Sequence, residues 1–230
     1  MGRKMKIQIL VVTVITLLGL QTFFSPGICG EQATPTQVSL SKLKEGNKRY
    51  VSGHPTAPRS DVERRETTAT QGQKPIATIL GCSDARVPPE IVFDQKFGDL
   101  FVIRVAGNVT GTSEVASVEY GVAALGTPIV VVLGHSACGA VQAAVKKTPL
   151  DGKLPKLVGL IAPAVDKAKK SNPDLKGTKL MDAAVEENVR HQMQELIAKS
   201  DTLKNAVNSK KISIVGAVRD LMSGDIRWLQ

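Results

Sequence analysis

Ile76-Ala77-Thr78-Ile79-Leu80-Gly81-Cys82-Ser83-Asp84-Ala85-Arg86 is the stretch on which the fold turns. Five uncharged residues run into a glycine, and a cysteine, an aspartate and an arginine then follow at alternate positions. A strand solvated on one face would alternate apolar and polar residues, whereas a continuous run belongs to a strand covered on both faces. The pattern recurs at Ile129-Val130-Val131-Val132-Leu133-Gly134, followed by His135-Ser136-Ala137-Cys138-Gly139. Phe101–Val105 and Lys211–Gly216 read as two more strands, the second preceding a tail that holds Trp228.

Helical patterns lie between them. Thr112 or Ser113 caps a helix to about Leu125, with Glu114 at its positive end. A small-residue helix covers Ser136–Lys147, and two further stretches occupy 155–170 and 178–206, parted by Pro173 and Gly177. In the last of these Val185, Val189, Leu196 and Ile197 share one face. The expected class is therefore α/β, a mainly parallel central sheet flanked by helices.

Ahead of this domain, Val38, Leu40, Leu43 and Tyr50 among lysines and glutamates make an amphipathic helix over 38–51, capped by Ser39 or Ser41. Gly53, Pro55, Pro58, Gly72 and Pro75 mark 52–75 as an extended arm with a brief helix near Asp61–Ala69. Residues 31–37 read as a flexible tail. Residues 1–30 have a basic start (Arg3, Lys4, Lys6), an apolar run from Ile7 to Leu20 and a small-residue end, the layout of a signal peptide. Cleavage is expected after Gly30 or Cys29, with Gly27 an alternative; the competing reading is an uncleaved anchor helix extended to Phe24. The expectation is one domain over 38–230, periplasmic or secreted, with no stable membrane span after signal removal.

A hydrophobic share of 42% and a charged share of 22% in 230 residues exclude a disordered or fibrous chain. Aromatics at 3% make the core aliphatic. The formal charge is +9; residues 1–30 carry three basic side chains and no acidic one, so their removal leaves +6. The remaining basic residues are scattered pairs such as Arg64-Arg65 and Lys169-Lys170, without stacking aromatics. They read as solvated faces, and nucleic-acid binding is not expected. His54 and His191 read as surface histidines.

Removal of 1–30 leaves two cysteines, Cys82 and Cys138. In an exported protein a disulfide is the default for such a pair. Their neighbours argue otherwise, because each lies just beyond a strand, at the carboxyl edge where parallel α/β sheets place ligand sites. If the two strands are close in the sheet, Cys82, His135 and Cys138 converge into two thiolates and an imidazole, a set suited to a catalytic zinc with one open position. Asp84 can bind the metal or accept a hydrogen bond from water on it, and Arg86 can grip its carboxylate bidentately. On chemistry alone this is a metal hydrolase or hydratase.

Gly81-Cys82-Ser83-Asp84-Ala85-Arg86-Val87-Pro88 together with Gly134-His135-Ser136-Ala137-Cys138-Gly139 resembles the β-class carbonic anhydrases. The likeness continues through Phe93-Asp94, Gly98–Phe101, Arg104–Asn108, Glu119-Tyr120, Gly216-Ala217 and Asp220-Leu221, over roughly residues 40–230. It implies reversible hydration of carbon dioxide to bicarbonate and a proton, with one Zn2+ per chain held by Cys82, His135 and Cys138. Asp84 and Arg86 would be the catalytic dyad, Asp84 orienting a zinc-bound hydroxide in the active form and becoming the fourth ligand in a resting form. Gln73 and the Gly139 amide would contact carbon dioxide or bicarbonate, and Phe101 and Ala106 would wall the pocket. Tyr120 would be supplied across the interface of a homodimer, alone or within a tetramer, with the 38–70 arm wrapped around the partner.

Some members place a tryptophan where this chain has Ile79 and a tyrosine where it has Arg219, as parts of an inhibitory bicarbonate site. Their absence implies the open geometry, with Asp84 on Arg86. The same fold also supports hydrolases of carbon disulfide or carbonyl sulfide. A non-catalytic zinc protein and a disulfide-stapled binding domain are the readings from outside enzymology.

Overall fold

The computed structural model describes residues 33–57 and 61–229. The signal peptide expected over 1–30 lies outside the described residues. Four strands, β1 (Ala77–Gly81), β2 (Leu100–Arg104), β3 (Ile129–His135) and β4 (Ser213–Arg219), pair in parallel in the order β2-β1-β3-β4. A fifth, β5 (Ile226–Leu229), pairs antiparallel with β4 and completes a five-stranded sheet.

Every residue of β1 and β3 is buried, which is why both sequences are continuous apolar runs. Alternate residues serve opposite faces. Leu80, Val130 and Val132 join a core with side chains of α4 (Thr112–Ala123), α5 (Gly139–Lys146), α7 (Ala162–Ser171), α8 (Gly177–Lys199) and α9 (Asp201–Asn208). Ala77, Ile79, Val131 and Leu133 join Leu43 of α1 (Pro35–Val51) and Phe93 on the other face. Three further α-helices, α2 (Val62–Gln71), α3 (Pro89–Val92) and α6 (Leu154–Gly159), lie in the described residues. Among them no helix is long and apolar enough to cross a membrane.

Several expectations are corrected. The flexible tail over 31–37 is helical from Pro35, because Thr34 and Gln37 form a capping box and proline suits the first helical position. Thr34, not Ser39 or Ser41, is the cap. The cap of α4 is Gly111, with no side-chain bond. The helix expected from Ser136 starts at Gly139, since Ala137 has φ 53° and the chain turns there. The stretch at 178–206 is two helices, because the Ser200 hydroxyl caps α9 by accepting from the Leu203 N–H at 3.0 Å. The Trp228 tail is β5, closed by a turn in which Asp220 accepts from the amides of Met222 and Ser223.

Candidate active site

Neighbouring parallel strands bring the two clusters together. Gly81 of β1 lies in register with Leu133 of β3, so Cys82 leaves one strand as His135 completes the other. Ala137 in its left-handed turn then swings Cys138 back. The ligating atoms of Cys82, His135 and Cys138 all lie within 4.8 Å of one another, and all three residues are buried. The sulfurs are not joined as a disulfide.

The donor set fits a metal ion. His135 Nδ1 lies 2.9 Å from the carbonyl oxygen of Ser136; a carbonyl only accepts, so Nδ1 carries the proton. Nε2 is then a bare lone pair, buried and without a hydrogen-bond partner among the described residues. It stands 3.9 Å from Asp84 Oδ2, two acceptors with no hydrogen to share. A cation beside them resolves this conflict.

The thiols make the same demand. Cys138 donates to Cys82, which pushes the Cys82 thiol down to about 4 against the opposing effect of burial; the amides of Asp84 and Gly107 push the same way. That bond, burial and the Cys82 charge push Cys138 strongly up, although the amides of Ala140 and Val141 partly oppose this. Without a cation two buried sulfurs this close cannot both ionise, and with one they can.

Asp84 is gripped by Arg86 through Nε at 2.9 Å and Nη2 at 2.7 Å, with the Arg86 backbone amide adding a third bond at 3.0 Å. The guanidinium holds the Asp84 carboxyl well below the usual carboxylate range. Ala106 is half-buried in the 3-10 turn Ala106–Asn108, whose Gly107 amide reaches Cys82 Sγ at 3.3 Å. Gly139 opens α5 beside Cys138 with free space on its side-chain position.

Three expected pocket residues are elsewhere. Phe101 pairs with Thr78 at the amino end of its strand, three residues before Arg104 and therefore about 10 Å from the carboxyl edge. Tyr120 stacks on Phe101 at 5.8 Å between ring centroids and is 54% exposed. Gln73 is exposed next to Gly98, before β1 and β2 begin. Within one chain none of these reaches the cluster, because they occupy the opposite end of the sheet.

Two arginines also contribute, to which the sequence reading gives no role in the site. Arg104 donates to the carbonyl oxygens of Cys82 at 2.9 Å and Asp84 at 2.5 Å, fixing the loop between them. Arg219, buried, donates to the Arg86 carbonyl oxygen and, at 2.8 Å, to the Tyr50 hydroxyl. The signal for Arg104 is its place in the family-like run Arg104–Asn108; for Arg219 it is only the departure from the tyrosine of other members. A cavity of about 720 Å³ is lined by Ser136, which follows His135, and by Asp182, Asp220 and Arg227, but none of Cys82, His135 and Cys138 lines it.

The fold and this edge together define an α/β enzyme class built around a Cys-His-Cys metal group. Residues 77–226 match the family model described as carbonic anhydrase. Carbonic anhydrase 2 of Mycobacterium tuberculosis is 39% identical over 187 residues, 79% of this chain and 87% of that protein. The carbonic anhydrase of Mycolicibacterium smegmatis is 35% identical over 189 residues, 80% and 88% of the two chains. Among solved structures the β-carbonic anhydrase CafA of Aspergillus fumigatus superposes with a TM-score of 0.68 at 27% identity, covering 84% of this chain and 89% of that one. Tetrameric β-carbonic anhydrases of Sordaria macrospora share the fold at 23% identity, TM-score 0.66, covering 84% and 94%. This chain belongs to the β-class carbonic anhydrases. It hydrates carbon dioxide reversibly to bicarbonate and a proton, and the disulfide-stapled and non-catalytic readings fall away.

Proposed function

We propose that Cys82, His135 and Cys138 hold one zinc ion for this reaction and that Asp84 and Arg86 orient the attacking oxygen. The observation that carries the reading is the bare His135 Nε2, buried and facing two sulfurs and the Asp84 carboxylate. When bound there, zinc supplies the Lewis acidity that ionises water near neutral pH. Both Asp84 oxygens are engaged by Arg86, so the carboxylate stays rigid and acts as an acceptor that sets the direction of the attacking O–H. Arg104 and Arg219 hold the loop that carries this pair. Ala106 and the Gly139 amide form the near wall for carbon dioxide.

The far wall comes from another copy of the chain, which supplies Gln73, Phe101 and Tyr120. Their placement away from their own cluster, at the opposite end of the sheet, supports this. The protein acts in the periplasm or is secreted after losing residues 1–30, a reading that rests on the basic start and apolar run of that segment. The mass of the protein recovered outside the cytoplasm tests it directly.

For the site, metal analysis and stopped-flow carbon dioxide hydration are run on the wild type and on Asp84→Ala. One zinc per chain is expected in both. Turnover should fall about 10²-fold in the variant, the cost of a misoriented reacting group. Unchanged turnover, or a wild type without zinc, overturns the reading.

A further inference from the structure

Asn188 and Gln192 lie one turn apart on α8, each 1% exposed, in a helix whose other buried positions are mainly aliphatic. Two buried amides cost free energy unless their polar atoms are bonded. Here they are. Gln192 Oε1 accepts from the Thr110 amide at 2.9 Å and the Thr110 hydroxyl at 2.8 Å. Its Nε2 donates to Asn188 Oδ1 at 3.0 Å and to the Leu160 carbonyl oxygen at 3.1 Å. Asn188 Nδ2 donates to the Gly107 carbonyl oxygen at 2.9 Å, and the Gly107 amide donates to Cys82 Sγ at 3.3 Å.

Asn188, 81 residues beyond Gly107 in sequence, thus reaches the Cys82 sulfur through that single intervening residue. That residue needs holding. Gly107 has φ 74° and Asn108 φ 46°, both left-handed, and a Cβ on Gly107 would come within 2.6 Å of Ile161 Cδ1. The turn 106–108 has no side-chain cap of its own. Beyond its own bond from the Asn108 amide to the Val105 carbonyl oxygen at 2.9 Å, it is held by Asn188 on the Gly107 carbonyl and by Gln192 and Lys199 on Thr110.

We infer that Asn188 and Gln192 are positioning residues for the sulfur of Cys82: they clamp the 107–110 loop so that the Gly107 amide stays on that sulfur. This rests on the zinc reading above. A hydrogen bond to a ligating sulfur fixes which of its lone pairs faces the ion and how much charge it donates, and loss of such outer partners costs about 10–100-fold in metal affinity.

The test uses the zinc-loaded full chain and measures zinc affinity by chelator competition, with the thiolate-to-metal charge-transfer band of the cobalt-substituted protein as a further readout. Asn188→Ala should weaken zinc binding about 10–100-fold and shift the band. Gln192→Glu keeps an oxygen for Thr110 but loses the donor to Asn188, and should move both readouts less, in the same direction. Leu196→Ala opens a cavity on the same helix. It should lower Tm while leaving affinity and band at wild-type values wherever the protein is folded. A folded Asn188→Ala with wild-type affinity and band overturns the inference, as does a Leu196→Ala that reproduces its changes. If Asn188→Ala does not fold, wild-type values in Gln192→Glu overturn it equally. A wild type that binds no zinc overturns the metal reading as well, whereas failure of the inference alone leaves wild-type binding intact.

Discussion

At the carboxyl end of β1 and β3 the chain gathers two buried thiols, a buried imidazole and an aspartate clamped by arginine; at the amino end of β1 and β2 it leaves Gln73, Phe101 and Tyr120 outside any such cluster. The carboxyl end is bonded within itself. Arg104, Arg219 and the Gly107 amide each hold part of it, and its elements come from both sides of the sheet centre. The amino end faces outward. Among the described residues β2 is an edge strand, paired only with β1, and Phe97, Val62 and Tyr120 are 54%, 55% and 54% exposed. An uncovered strand edge flanked by apolar side chains is the kind of surface proteins cover. On the proposed reading, one end holds the reactive centre and the other holds the wall residues that a second copy would bring to it.

The largest effect should come from cutting the carboxyl end. His135→Ala removes the nitrogen of the proposed zinc set and should bring both zinc content and hydration to background, checked by metal analysis and stopped flow. Substantial activity would mean that chemistry does not run through this edge.

The next effect asks whether the two ends belong to one site. Gln73→Ala should lose about 10²-fold in kcat/KM, the usual cost of one preorganised donor. Cys138→Ala should be inactive for lack of a ligand. Reassorting the two variants as mixed dimers should restore about a quarter of the sites, because each mixed dimer with twofold symmetry has one intact and one doubly damaged site. No recovery on mixing, with each variant folded, would place Gln73 in the site of its own chain, and wild-type kcat/KM in Gln73→Ala would place it outside the reaction.

The smallest effect concerns the arm that leads to the amino end. Asp94 is buried, and burial pushes its carboxyl up; bonds from the Thr56 amide, the Arg49 side chain at 2.6 Å, the Ala57 amide and the Thr56 hydroxyl outweigh this and hold it at about 2. An unfolded aspartate titrates near 3.9, so the folded value is the lower one. The stabilisation, roughly 2–3 kcal/mol, is present above pH 4 or so and disappears as pH falls through about 2. Asp94→Asn should therefore be less stable than wild type at pH 7, with the two unfolding free energies converging towards pH 2. A gap constant over that range would contradict the assignment.

Much of the carboxyl end is legible in the sequence because its chemistry is local. Cys82, Asp84 and Arg86 alternate along one loop, and His135 and Cys138 are three residues apart, each group following a continuous apolar strand. Strand ends are readable too, although β3 runs through Gly134 to His135 instead of stopping at the glycine. The β5 strand is not legible, since Ile226-Arg227-Trp228-Leu229 is too short for its alternation to stand out and depends on pairing with β4. Nor is the helical start at Thr34, where capping chemistry is hidden in a polar stretch that reads as loose.

Residue type and spacing by themselves determined the parallel α/β class, the Cys-His-Cys group and the family, because burial on both faces and metal-ligating chemistry each demand particular side chains in a short window. Only the tertiary structure decided that Gln73, Phe101 and Tyr120 stand at the far end of the sheet from Cys82, and that Asn188 and Gln192 hold the loop over its sulfur. Both facts depend on strand register and on hydrogen bonds between residues more than eighty positions apart, and no periodicity along the chain encodes which distant atoms meet.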